Sequence, residues 1–168
     1  TTGFKELNIL EKIIGENSNE LKPVIDNLSK YEVQILYTKI DRDENNKINF
    51  TTHAFNEQKN KYFYPASTVK LPAAILALEK LNEIGIKGVN KFTHLSIDSV
   101  YENHESFDKD FKNECGYPNI ADYIKRVFLV SDNDAFNRLY DFLGQKEINE
   151  RLIKRGFDNT KIVHRLSV

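Results

Sequence analysis

The stretch "YFYPASTVKLPAAILALEKL" (residues 62–81) passes from aromatic residues through a proline into a serine, a lysine and a long apolar run. The apolar residues predict a helix from about Thr68 to Glu83, with Gly85 and Gly88 ending it. A helix that is apolar on nearly every side belongs in the middle of a domain. The stretch therefore predicts the central helix of the fold.

Two side chains at the start of this helix, Ser67 and Lys70, have a spacing that suits catalysis. Residues three apart lie on one helix face, so the hydroxyl and the amine can come within hydrogen-bond reach. A neutral lysine can take the hydroxyl proton, and both burial and the helix N-terminus favour the neutral amine. The alternative is that Ser67 caps the helix and Lys70 is solvated. S-x-x-K alone does not decide, since a second copy occurs at Ser106–Lys109 in a polar stretch.

The rest of the chain predicts helices around one β-hairpin. Residues 5–28 predict a helix interrupted around "GENSN" (15–19), and residues 31–40 and 48–55 predict two strands. A two-stranded hairpin is marginal alone, so either the long helices cover it or further strands beyond Val168 pair with it. Further predicted segments are a loop over 86–118, helices over about 120–130, 134–143 and 145–155, and an extended or loop C-terminal end. The fold class predicted is α/β (α+β).

The polar segment "DRDENNK" (41–47) between the strands resembles a calcium loop in the alternation of Asp41, Asp43 and Asn45. Asn46 stands where such a loop needs glycine, and Thr52 stands where it needs a bidentate glutamate. The segment is therefore predicted to be a turn.

Composition excludes several classes of function. The chain has 168 residues, 40% of them hydrophobic and 29% charged, which is typical of one globular domain with its own core. A net charge of −1 gives no basic surface for nucleic acid. The longest apolar run, Leu71–Leu78, is too short to cross a membrane. With Cys115 as the only cysteine, no intramolecular disulfide can form.

Other catalytic patterns are missing. The four histidines have no metal-ligand spacing, so no metal site is expected, and no G-x-S-x-G marks a Ser-His-Asp hydrolase. The histidines are His53, His94, His104 and His164.

A second motif, Ser131-Asp132-Asn133, lies between two predicted helices, 64 residues after Ser67 (131 minus 67). It also has a capping alternative, in which Asp132 or Asn133 caps the helix that begins near Asp134. The tripeptide arises by chance in roughly a few per cent of chains. S-x-x-K followed by S-D-N resembles the class A serine β-lactamases and the penicillin-binding proteins that share their fold.

The resemblance implies a role for each motif residue. Ser67 would be the acylated nucleophile, and Lys70 the base or part of the relay that activates it. Ser131 would pass a proton to the leaving nitrogen. Asn133 would offer its side-chain amide to the substrate and to Lys70, and Asp132 would hold the loop. The implied substrate is a β-lactam or a peptidoglycan stem peptide, and no metal or organic cofactor is implied.

Tyr101 or Phe107, in the predicted loop before S-D-N, could line the cleft and stack on substrate. The alternative for either aromatic residue is that it packs the loop down.

The resemblance covers about residues 5 to 167 but not every family motif. K-[TS]-G is absent, and "VHRLSV" resembles at Arg165 the start of the loop that carries the deacylating glutamate. We therefore expect residues 1–168 to be one domain, the N-terminal part of the fold without the later sheet strands. The resemblance also implies a periplasmic or cell-surface location after removal of a signal peptide, and we expect a monomer.

Three functions stay open at this point. A β-lactamase would deacylate quickly, and a penicillin-binding carboxypeptidase or transpeptidase slowly. A non-catalytic cell-wall-associated domain would keep the fold alone.

Overall fold

The computed structural model describes residues 8–96 and 116–167. Tyr101, Phe107 and the second S-x-x-K copy, Ser106–Lys109, lie outside these residues. By its internal contacts the chain divides into two compact units, Thr1–Phe63 and Tyr64–Val168. The expectation of one domain stays a prediction.

The first unit contains two short helices and the hairpin. The break between the helices confirms the interruption predicted around residues 15–19. The first strand begins at Ile35 rather than at Tyr31, because residues before it form turns: Glu32 has a left-handed φ of 52° and the Val33 N–H bonds to the Leu28 carbonyl at 3.1 Å. The elements are α1 (Ile9–Glu16), α2 (Ser18–Ile25), β1 (Ile35–Arg42) and β2 (Ile48–Phe55).

The hairpin pairs β1 and β2 in antiparallel register, from Ile35 opposite Phe55 to Arg42 opposite Ile48. The connection is a turn, as predicted. In it the Asp43 carboxylate accepts the N–H groups of Asn45 and Lys47, each at 2.9 Å. That carboxylate oxygen therefore holds the main chain of the turn.

Helix α1 is tied to the hairpin by Asn8. Its side-chain oxygen caps α1 by accepting the Leu10 N–H at 2.8 Å, and its side-chain nitrogen donates to the Ala54 carbonyl of β2 at 2.7 Å. No described residue of this unit is buried, so the hydrophobic core lies in the second unit.

The second unit contains a 3₁₀ turn and four helices. The predicted ends of three helices are confirmed to within one residue, and the central helix ends as predicted at Gly85, whose φ is 64°. None of the helices in residues 8–96 and 116–167 is long and apolar enough to cross a membrane. The elements are the turn Ala66–Val69, α3 (Lys70–Ile84), α4 (Ile120–Val130), α5 (Asn133–Leu143) and α6 (Gln145–Lys154).

The core forms around α5, which contacts α3, α4 and α6. Seven residues of α5 are buried, more than in any other described helix. The buried hydrophobic residues are Ala73, Ala74, Leu76, Ala77, Ile120, Tyr123, Val127, Ala135, Phe136, Leu139, Tyr140, Leu143, Ile148, Leu152 and Ile162.

Helix α3 is apolar on nearly every side, but it is not buried on every side. Leu71 and Ile75, one turn apart, are 52% and 54% exposed. The buried side of the helix includes Ala73, Ala74 and Ala77, small residues that allow close approach of a neighbouring helix. Since α3 packs on other helices from one side, its opposite apolar side remains exposed.

Candidate active site

Ser67 lies in the 3₁₀ turn that precedes α3, three residues before Lys70. In a 3₁₀ turn, residues i and i+3 lie directly above one another. The turn therefore places the Lys70 Nζ 3.1 Å from the Ser67 Oγ. The capping alternative for Ser67 is wrong, because neither the turn nor α3 has a side-chain cap and the hydroxyl bonds to Lys70 and Ser131 instead.

The residue before the serine, Ala66, has an unusual backbone. Its φ of 45° lies in the left-handed region, which residues other than glycine rarely adopt. Ala66 is an exposed residue, so close packing does not require an alanine here. The turn that presents Ser67 is therefore a strained one.

Substitution of Ala66 tests this strain in both directions. Ala66→Gly is expected to raise the free energy of unfolding by about 1 kcal/mol, since glycine adopts positive φ without a penalty. Ala66→Val is expected to lower it by about 1–2 kcal/mol, because a β-branched residue is disfavoured at positive φ. Chemical denaturation measures both. Equal free energies for the two variants would contradict the assignment of strain.

The S-D-N motif joins α4 to α5, and each of its residues has a defined position. Ser131 ends α4 in the left-handed conformation, with φ 53° and ψ 40°. Asp132 caps α5 by accepting the Ala135 N–H at 3.1 Å, as the capping alternative predicts. Asn133 is the first residue of α5.

These residues meet around the amine of Lys70. Its Nζ lies 2.9 Å from the Ser131 Oγ and 2.6 Å from the Asn133 Oδ1, and it also donates to the Ser131 carbonyl. The Ser131 hydroxyl in turn donates to the Ser67 Oγ at 3.0 Å. The structure thus brings together Ser67, Lys70, Ser131 and Asn133, all four of them predicted from sequence.

The hydrogen-bond network is compatible with a neutral lysine. Four oxygen atoms surround the Lys70 amine, which carries three protons when charged and two when neutral. The Ser131 carbonyl and the Asn133 Oδ1 can only accept a proton, whereas the hydroxyl of Ser67 can accept a proton from the charged amine or donate one to the neutral amine. The contact at Ser67 can therefore form with either state of the lysine.

Burial favours the neutral form of the Lys70 amine. Lys70 is 3% exposed, and this burial lowers the pKa of its amine, against the opposing charge of Asp132. Near neutral pH a larger fraction of the amine is therefore neutral than for a solvated lysine.

A family model of the β-lactamase enzyme family matches residues 17–167, almost the whole chain. The chain belongs to the β-lactamase enzyme family. Membership confirms the resemblance and the mixed α/β fold class, and it supports a serine β-lactamase-type hydrolase. A search of curated proteins found no match.

In this β-lactamase-family chain Ser67 lines a cleft of about 460 Å³, a size suited to a small molecule. Tyr64, Ala66, Ser67 and Asn133 line one part of it, and residues 164–167 line the other. None of these described lining residues is a carboxylate.

Two amides of α5 hold residues 164–167 in place as a wall of the cleft. The buried Asn137 accepts the Leu166 N–H at 2.8 Å and donates to the Leu166 carbonyl at 2.9 Å. The Asn133 Nδ2 donates to the Ser167 carbonyl at 2.7 Å. Asn137 was not identified from sequence, although an asparagine on the apolar face of an amphipathic helix could have indicated it.

Other sequence expectations have a mixed outcome. Tyr101 and Phe107 lie outside the described residues, so their role at the cleft stays a prediction. Tyr64 and His164 line the cleft although sequence reasoning did not select them. Within the described part of the chain, no three His, Cys, Asp or Glu side chains are placed to share a metal.

Proposed function

We propose that this protein opens β-lactam rings by forming an acyl-enzyme on Ser67. The contact of a buried Lys70 amine with the Ser67 hydroxyl, at 3.1 Å, is the observation that carries the proposal. A serine hydroxyl needs a base beside it, and a lysine can serve only when it is neutral. Burial lowers the pKa of Lys70, which increases the fraction of the amine that is neutral.

The first step transfers the Ser67 proton to the Lys70 Nζ while the Oγ attacks the lactam carbonyl carbon. The carbonyl oxygen becomes an oxyanion, and the N-terminal end of α3 favours negative charge there. Main-chain N–H groups at this helix end are suitable donors to the oxyanion.

The second step returns the proton to the ring nitrogen. Ser131 is placed to carry it, since its Oγ lies 2.9 Å from the Lys70 Nζ and 3.0 Å from the Ser67 Oγ. Lys70 gives a proton to Ser131 as Ser131 gives its own to the nitrogen. The carbon–nitrogen bond breaks, the ring opens, and the acyl group remains on Ser67. Addition of water to the ester then releases the product and restores the serine.

The cleft suits an anionic substrate. Penicillins and peptidoglycan stem peptides both carry a carboxylate, and the described lining residues contain none that would repel it. His164 and Arg165 lie in the same lining. Asn133, at the base of the cleft, both orients Lys70 and presents an amide to the substrate.

Intact-mass spectrometry of the full-length protein with benzylpenicillin, over a range of pH, tests the proposal. The expected adduct has the mass of the whole penicillin, because ring opening expels no leaving group, and peptide mapping should place it on Ser67. The acylation rate should rise with pH as Lys70 loses its proton and then level off. Because the pKa of Lys70 is lowered, the plateau should begin at a lower pH than for an ordinary lysine.

The fate of the adduct separates the related functions. Consumption of the drug without adduct accumulation identifies a β-lactamase. A lasting adduct identifies the slow deacylation of a penicillin-binding carboxypeptidase or transpeptidase. If the protein forms no adduct and consumes no drug, the proposal is wrong and a non-catalytic domain is favoured.

A further inference from the structure

Ser131 adopts a conformation that other groups must maintain. Its left-handed φ of 53° is unfavourable for a residue that has a side chain. This turn directs both the carbonyl and the hydroxyl of Ser131 toward the Lys70 amine. Relaxation of the turn would therefore move two of the four oxygen atoms around that amine.

Arg126, on α4, binds this turn through its main chain. Its carbonyl oxygen accepts the N–H of Ser131, and the N–H of Asp132 lies 3.4 Å from the same oxygen. The two residues at the bend are thus tied to one point on the helix that precedes them.

The side chain of Arg126 binds the turn a second time. Its Nε and Nη2 donate to the Oδ2 of Asp132 at 3.0 and 2.8 Å. The other oxygen, Oδ1, caps α5 through the Ala135 N–H. Asp132 therefore joins Arg126 on one helix to the start of the next helix, where Asn133 contacts Lys70.

Charge is balanced around this contact. Burial raises the pKa of the Asp132 carboxyl, but the Ala135 N–H and Arg126 outweigh it and the pKa is lowered. Arg126 also faces Asp122 on α4 at 3.8 Å and Asp134 on α5 at 3.7 Å, and its guanidinium lies over the Tyr123 ring. The negative charge of Asp132 opposes the lowering of the Lys70 pKa by burial, and Arg126 pairs with that carboxylate at 2.8 Å.

We propose that Arg126 is a positioning residue for acylation, which fixes Ser131 and Asn133 against Lys70 by clamping Asp132 and shields Lys70 from the Asp132 charge. The inference rests on the proposed acylation of Ser67. Arg126 acts through the turn and through Asp132.

Two substitutions should shift the pH dependence of acylation in opposite directions. In Arg126→Gln the unshielded Asp132 carboxylate keeps Lys70 protonated to higher pH. The acid limb of the pH–rate profile, where the rate falls as Lys70 gains a proton, should therefore move to higher pH. In Asp132→Asn that negative charge is absent, so the acid limb should move to lower pH. Asparagine can still cap α5. At pH 7 Arg126→Gln should acylate about tenfold more slowly, the scale expected when a hydrogen bond to a charged group is lost. The probe is benzylpenicillin, with adduct formation followed by intact mass.

Two further variants separate positioning from general destabilisation. Arg126→Lys keeps the positive charge and should restore most of the pH profile, although one lysine amine cannot replace two guanidinium donors. Arg151→Gln is the matched control: it removes an arginine of α6 whose side chain is 15% exposed and pairs with Glu147 at 2.6 Å, a carboxylate that is not among the acidic partners of Arg126 named above. It should lower the thermal midpoint without moving the acid limb.

These measurements distinguish a wrong role for Arg126 from failure of the proposed acylation. If the unaltered protein forms no adduct and consumes no drug, the acylation proposal itself is wrong. If it does react but Arg126→Gln behaves like Arg151→Gln, with an unmoved acid limb, the proposed role of Arg126 is wrong. Should Arg126→Gln lack a cooperative thermal transition, Arg126→Lys decides, because it keeps the charge but not the two donors that bind Asp132: slower acylation than in the unaltered protein supports the inference, and an unchanged rate overturns it.

Discussion

Ser67→Ala is expected to abolish covalent labelling by benzylpenicillin, whereas Ser131→Ala should slow labelling by about a hundredfold without abolishing it. Distance to the base does not distinguish the two serines. Their hydroxyl oxygens lie 3.1 and 2.9 Å from the Lys70 Nζ, and 3.0 Å from each other.

Position in the site is the reason that we propose Ser67, rather than Ser131, as the nucleophile. Ser67 lines the cleft and lies at the N-terminal end of α3, where developing negative charge is favoured. Ser131 donates its hydroxyl proton to Ser67, an arrangement suited to proton transfer. In the proposed mechanism, loss of Ser131 removes one step of the proton path, but loss of Ser67 removes the atom that is acylated.

The measurement is the intact mass of each variant after timed exposure to the drug. A cooperative thermal transition in each variant is the control for folding. An adduct on Ser67→Ala, mapped to Ser131, would reverse the two roles. Unchanged labelling of Ser131→Ala would remove Ser131 from the proton path.

Phe136→Ala is expected to lower the free energy of unfolding by about 3–5 kcal/mol, a large part of the stability of a small domain. Phe136 lies fully buried on α5, the helix that contacts α3, α4 and α6, and its ring packs on Tyr140 with centroids 6.1 Å apart. Alanine would leave a cavity at the point where the helices meet.

The matched control is Phe128→Ala, which removes the same atoms from a phenylalanine of α4 that is 55% exposed. Phe128→Ala is expected to lower the free energy of unfolding by less than about 1 kcal/mol. Denaturant unfolding of both variants, with the slope compared as well as the midpoint, measures the difference. Similar losses in the two variants would mean that α5 is not the centre of the core.

Sequence alone determined the features that depend on near neighbours. Apolar periodicity and glycine stops predicted α4, α5 and α6 to within one residue, because those signals act within one or two turns. The spacing of Ser67 and Lys70 predicted their contact, since residues three apart meet in either kind of helix. The S-D-N motif was correctly placed on a connection between two helices.

Only the tertiary structure decided the rest, because it depends on how helices distant in sequence pack. The approach of Ser131 to Lys70 spans 61 residues and needs α5 against α3. The same packing buries the Lys70 amine and leaves Leu71 and Ile75 exposed, which apolar composition did not predict. Arg126 also escaped the sequence analysis, since an arginine late in a helix is usually solvated. Its role follows from a bend that turns Asp132 back toward the helix before it, a geometry that residue spacing does not specify.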